Sequence, residues 1–128
     1  EQPADADLGS VAGVYHKYEY KADDSTVIEI MDIFHSDEFK QLRILEYPTT
    51  GVFVLCFSLV DRQSFVNVED KWFKEISKSK HTRHASYIVV GIKKDDREAA
   101  LSNKDDMSLI TSKEGTEMAN KIGAFYYG

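Results

Sequence analysis

The sequence predicts an α/β domain built on a mostly parallel sheet with one antiparallel hairpin strand. Three observations predict it. Residues 52–58, VFVLCFS, and 87–91, YIVVG, are short unbroken apolar runs, which is how strands covered on both faces read. Between them, Phe65, Val68, Trp72 and Ile76 fall on one helical stripe of residues 63–79, with Lys71, Lys74 and Lys78 off it. Strands that alternate with helices imply right-handed βαβ crossovers, hence parallel pairing with helices on both faces.

The elements follow in chain order. Residues 1–13 hold Pro3, Gly9, Gly13 and acidic groups with almost no large apolar side chain, and read as a flexible lead-in to a domain at 14–128. Residues 14–20, VYHKYEY, and 26–31, TVIEIM, joined by the polar 21–25, read as an antiparallel hairpin. One tyrosine face of this hairpin is expected to pack on the helices, and Tyr18 or Tyr20 is a candidate for interface contact. Residues 37–47 place Phe39, Leu42, Ile44 and Leu45 at helical spacing, with Pro48 as the stop. Asp61 is positioned to cap the helix at 63–79. Residues 93–107 are charged and turn-prone. Thr111 and Glu114 have the spacing of a capping box, in which hydroxyl and carboxylate satisfy each other's backbone donors. That helix turns Met118, Ala119 and Ile122 inward and ends at Gly123, and residues 124–127 begin a further strand.

Composition excludes several classes. Of the 128 residues 42% are hydrophobic, and the net charge is −6. That does not fit a disordered chain, and it argues against nucleic acid, which needs a basic face. The one cysteine, Cys56, rules out an internal disulfide or a Cys-rich zinc site and reads as an inert core residue. No apolar run approaches a membrane span and no leader peptide is visible, so the default is cytoplasmic, with peripheral membrane contact left open. His35 with Asp32 and Asp37, and the His81/His84 pair in KSKHTRHAS, read as solvated loop side chains rather than metal ligands. The basic stretch Lys74, Lys78, Lys80, Arg83 reads either as a solvated helix end or as a dock for an acidic partner or lipid headgroups.

Several ordered segments resemble one family. Residues 31–39, Met-Asp-Ile-Phe-His-Ser-Asp-Glu-Phe, are similar to a strand ending in Trp-Asp-Thr-Ala-Gly-Gln-Glu-Asp-Tyr. Residues 41–48, Gln-Leu-Arg-Ile-Leu-Glu-Tyr-Pro, resemble Arg-Leu-Arg-Pro-Leu-Ser-Tyr-Pro. Asp70-Lys71-Trp72 resembles Glu-Lys-Trp, and Ile92-Lys93-Lys94-Asp95 lies where Asn-Lys-x-Asp belongs. These are segments of the Ras superfamily of small GTPases, in its Rho branch.

The resemblance implies a three-layer, P-loop NTPase-like G domain lacking the family's first strand and last helix. It implies guanine-nucleotide contacts at Lys93 and Asp95, a Mg²⁺ role for Asp32 and Ser10, and a switch or partner surface at Tyr15, Tyr18, His35, Ser36 and Phe39. It assigns no catalytic residue. His35 replaces a glycine that contacts the γ-phosphate, Ser36 the glutamine that orients water, and Ile92 the asparagine that reads the base. No GxxxxGK[ST] string occurs and no glycine precedes a lysine. The expected function is therefore a Rho-like signalling domain acting through protein effectors or regulators, with weak or absent GTP binding and hydrolysis (a pseudo-GTPase). No cofactor is expected for these residues. The alternative is a GTP-hydrolysing switch, binding GTP or GDP with Mg²⁺, whose phosphate loop lies outside them. Either way, the family's missing central strand would leave open edges, to be met by strand donation from another chain, dimerisation or rearrangement.

Overall fold

The computed structural model describes residues 15–101 and 108–128. It divides into two units, Glu1–Glu46 and Tyr47–Gly128, taken separately below. Of the expected site residues, Ser10 lies outside the described residues.

In the first unit, β1 (Tyr15–Lys21) pairs antiparallel with β2 (Val27–Ile33), so the expected hairpin forms. Its turn closes locally. Ser25 donates to the Asp23 carboxylate through its backbone N–H at 2.8 Å and its hydroxyl at 3.0 Å. Those bonds hold the Asp23 carboxyl below its ordinary pKa. The pleat sends Tyr18, Tyr20, Ile28 and Ile30 to one face, as cross-strand pairs Tyr18↔Ile30 and Tyr20↔Ile28. That face is exposed, with Tyr18 at 41% and Tyr20 at 52%. Tyr15 points to the other face and is half-buried. The tyrosine face expected to pack on helices is thus the exposed one for Tyr18 and Tyr20.

The helix expected over 37–47 is shorter. A 3-10 turn at Asp37–Phe39 leads into α1 (Lys40–Ile44). Tight bonds from Leu45 N to Leu42 O (3.2 Å) and Glu46 N to Arg43 O (3.0 Å) close it early. Leu45, expected inward, is 69% exposed. Pro48 lies inside a separate 3-10 turn, Tyr47–Thr49, rather than ending the helix.

The second unit carries a parallel sheet in the order β3 (Val52–Ser58), β4 (Ser86–Ile92), β5 (Phe125–Tyr127). Between β3 and β4 runs one long helical segment, made of α2 (Arg62–Asn67), a π-helical stretch (Val68–Phe73) and α3 (Lys74–Ser77). Asp61 caps it as expected, accepting from Gln63 N at 3.0 Å and Ser64 N at 3.3 Å. The stretch expected to be turn-prone after β4 instead contains α4 (Lys94–Ala100), with Asp95 and Asp96 in its first turn favouring the helix dipole. The last helix, α5 (Ser112–Ile122), opens with the expected capping box and closes at Gly123, whose φ of 73° suits glycine.

Residues 52–58 read as a strand covered on both faces; the structure covers one. Phe53, Leu55 and Phe57 are buried, while Val52, Val54 and Cys56 between them are exposed. Cys56 is therefore not the core residue expected. The helices pack on the Phe57 side, where Phe57 meets Phe65 of α2 with ring centroids 5.0 Å apart and stacks on Tyr126 of β5 at 6.3 Å. The opposite face carries Val54 at 56% and Phe125 at 70% exposure. Among the described residues β3 forms an edge with no charged side chain. No helix among them is long and apolar enough to cross a membrane.

Tyr126 also lies across α5, where a methyl group added at Gly115 would run into its ring. The Tyr126 hydroxyl is buried with no hydrogen-bond partner among the described residues, and burial raises its pKa. Gly115→Ala should therefore destabilise the fold by about 1–3 kcal/mol despite alanine's better helix propensity. Tyr126→Phe, which removes an unsatisfied hydroxyl, should be neutral or stabilising. Urea unfolding of both variants checks this; a stabilised Gly115→Ala would contradict the contact.

Candidate functional site

The expected site residues fall into two loops, one in each unit. In the first unit they follow β2. Asp32 stands opposite His16 in the ribbon, and both are exposed. The chain then turns through Phe34, whose ring meets His16 edge-on at 5.8 Å and Phe39 at 6.3 Å. His35 is exposed and Ser36 half-buried. Ser36 takes the N-cap position of the 3-10 turn, but its hydroxyl caps nothing. Its carbonyl is gripped twice, by Arg43 Nη1 at 2.6 Å and by Phe39 N at 3.1 Å. A charge-assisted bond to a carbonyl is among the stronger hydrogen bonds available. Arg43 thus fixes the backbone of the loop and leaves the side chains of His35 and Ser36 outward.

In the second unit the loop follows β4. Lys93 has φ 62° and ψ 42°, the one left-handed non-glycine among the described residues. Strain of this kind persists where the surroundings fix the chain, and here a closed relay does so. Leu59 N donates to Ile92 O at 3.0 Å, and Ile110 N donates to Leu59 O at 2.9 Å. Arg97 Nη1 donates to Ile110 O at 2.9 Å, and Arg97 N returns to Lys93 O at 3.2 Å. Leu59 and Ile110 are fully buried. Gly91 is required beside them, because a Cβ there would stand 2.6 Å from Leu59 Cδ2. Lys93 and Asp95 project from this rigid corner into solvent, and the Asp95 carboxylate makes no hydrogen bond or ion pair with another described residue. An exposed carboxylate held on a fixed backbone can accept two N–H donors from a planar ligand edge.

A second arginine completes the support. Arg62 donates to Leu109 O at 2.9 Å and pairs with Glu114 at 2.9 Å. Glu114 also accepts from Thr111 N at 2.9 Å and returns its own N–H to Thr111 Oγ1 at 3.2 Å. The Arg62 hydrogen bond is the main reason the Glu114 carboxyl sits below its ordinary pKa.

Sequence reasoning missed Arg43, Arg62 and Arg97 as the groups that hold these loops. Arg62 reaches a partner 52 positions away, and no local spacing signals that. Asp32 finds no companions: no group of three or more His, Cys, Asp or Glu placed to hold a metal exists among the described residues.

A model of the Ras family matches residues 10–128. The chain is also 35% identical over 99 residues to the Ras-like GTP-binding protein RhoL of Drosophila melanogaster, an alignment that takes in 77% of this chain and 48% of that protein. The chain therefore spans about half the length of this relative.

The Arg62–Glu114 pair predicts a pH response. The folded carboxyl takes up a proton less readily than the unfolded one, so its contribution is complete above the ordinary value of 4.5 and fades as the pH falls through the lower folded value. The melting temperature of the wild type should fall more steeply from about pH 6 to about pH 3 than that of Glu114→Gln. Parallel slopes would mean that the pair adds no stability.

Proposed function

As the chain belongs to the Ras family and is a Rho-like small GTPase by descent, we propose that it acts as a signalling domain through protein contacts and turns GTP over weakly or not at all. The observation that carries this reading is the loop after β2. At the position that corresponds to the family's water-orienting glutamine stands Ser36, with its backbone gripped by Arg43. A serine hydroxyl is too short to orient an attacking water from there. Phosphoryl transfer rests on positioning and electrostatics, so this loss falls on the chemical step. His35 brings a ring where the family has a glycine, and Ile92 brings no hydrogen-bonding group to the base side.

The residues left for a nucleotide are few. Lys93 and Asp95 are presented on a fixed backbone and suit a guanine edge. Asp32 offers one carboxylate toward Mg²⁺. This partial fit favours a second reading, a GTP-binding switch completed by a phosphate loop outside these residues. The two readings differ in affinity. Both expect slow hydrolysis, because the changes at His35 and Ser36 are internal to the chain.

Protein contact is supported by the ribbon. Tyr18 and Tyr20 with Ile28 and Ile30 form an exposed aromatic and aliphatic face, the composition that suits a partner surface. Tyr15 and Phe39 lie nearer the loop and are half-buried; the surface proposed for effectors or regulators runs from Tyr18 toward His35 and Ser36.

Titration of the protein with GDP and Mg²⁺, followed through the half-buried Trp72 and by calorimetry, tests the affinity. We expect no sub-micromolar binding, and substoichiometric guanine nucleotide in the supernatant of denatured protein. Tight binding would replace the first reading with the second. In that event single-turnover hydrolysis by Ser36→Gln should exceed the wild-type rate by about tenfold or more; an unchanged rate would remove Ser36 as the cause.

A further inference from the structure

The most strongly charged surface that the nucleotide reading leaves unused lies where the long helical segment hands over to β4. Residues 71–92 hold five Lys and Arg side chains and one carboxylate, Glu75, which accepts the Tyr47 hydroxyl. Lys74, Lys78, Lys80 and Arg83 are exposed, and their side chains pair with no carboxylate among the described residues. His81 and His84 are exposed between them. The whole chain carries −6, so this is a local reversal of its charge.

The turn that carries these cations is well braced. Ser79 Oγ accepts from His81 N at 3.3 Å. Thr82 is buried, with Oγ1 at 2.7 Å from Ile76 O and 2.8 Å from Ser79 O. Backbone bonds from Thr82 N to Ser79 O and from Ala85 N to Thr82 O close it. Its buried hydroxyl therefore points the cations outward. The turn enters β4 at its N-terminal end, whereas Lys93 and Asp95 follow its C-terminal end. Seven strand residues separate the two by about 23 Å, so a ligand on one does not block the other.

We propose that residues 74–84 form an electrostatic docking turn for an anionic lipid bilayer. The absence of an anchor decides between a bilayer and an acidic protein. From Ser77 to Ser86 there is no large apolar side chain, and a protein interface draws its energy from desolvated aromatic or aliphatic anchors. A bilayer asks only for clustered flexible cations that reach its diffuse negative layer while still hydrated.

Sedimentation of the full chain with vesicles tests this, using phosphatidylcholine alone and phosphatidylcholine with about 30% phosphatidylserine. Binding to the anionic vesicles should be clear at about 0.05 M salt and lost at about 0.5 M. Removing a cation should cost about fivefold, so Lys78→Gln, Lys80→Gln and Arg83→Gln together should cost about a hundredfold. Lys113→Gln on α5 should leave binding within a fewfold of wild type. Circular dichroism confirms that each variant keeps the fold. Equal binding to phosphatidylcholine alone would overturn the proposal in favour of adsorption through the apolar sheet face. Capture by soluble poly-aspartate without vesicle binding would overturn it in favour of an acidic polypeptide. An unaffected triple variant, or no vesicle binding at all, would also overturn it.

Discussion

Leu59 is the residue on which the second unit's loops depend. Its side chain is fully buried, its N–H is spent on Ile92 and its carbonyl on Ile110. A residue tied by both backbone groups in a dry interior cannot shift without leaving donors or acceptors unpaid for in hydrogen bonds. It therefore fastens the end of β4 to the segment ahead of α5. Gly91 keeps the space it needs, and Arg97 carries the connection back to Lys93. The left-handed backbone at Lys93 is sustained by this ring of bonds rather than by anything intrinsic to lysine.

The parts of the fold governed by local chemistry were readable in the sequence. The Asp61 cap, the Thr111–Glu114 box and the Gly123 terminus each depend on residues within a few positions of one another. The uniformly apolar strands β3 and β4 were readable for the same reason. What failed depended on who sits opposite. An unbroken apolar run says that a strand can be covered twice, not that both covers are present, and so Cys56 and Val54 were misplaced. The helix expected through Leu45 failed because apolar spacing over few turns does not outweigh 3-10 bonds that tighten early. The candidate loops were legible through family resemblance, but their supports were not. Arg43, Arg62 and Arg97 act across space on backbone carbonyls, and a carbonyl has no letter in the sequence.

The Ras-family site and the basic turn sit at opposite ends of one strand and draw on different physics. At the C-terminal end of β4, fixed geometry presents a few groups that could select a planar ligand. At its N-terminal end, a braced turn presents mobile cations whose effect depends on number rather than on arrangement. Precision at one end and diffuse charge at the other is a division that a parallel strand allows, because its two ends are held apart by the sheet itself.

The π-helical stretch at Val68–Phe73 has a bearing on that division. Its wider winding fits more residues into the same rise than an α-helix would. Excising one position there would let the segment rewind as uninterrupted α-helix and swing everything beyond it by about 100° around the axis. Lys74 and Lys78 would then face another quarter of the molecule. The compass bearing of the cations is thus written in a length, one amino acid's worth of slack in a coil, and no charge need be altered to redirect them.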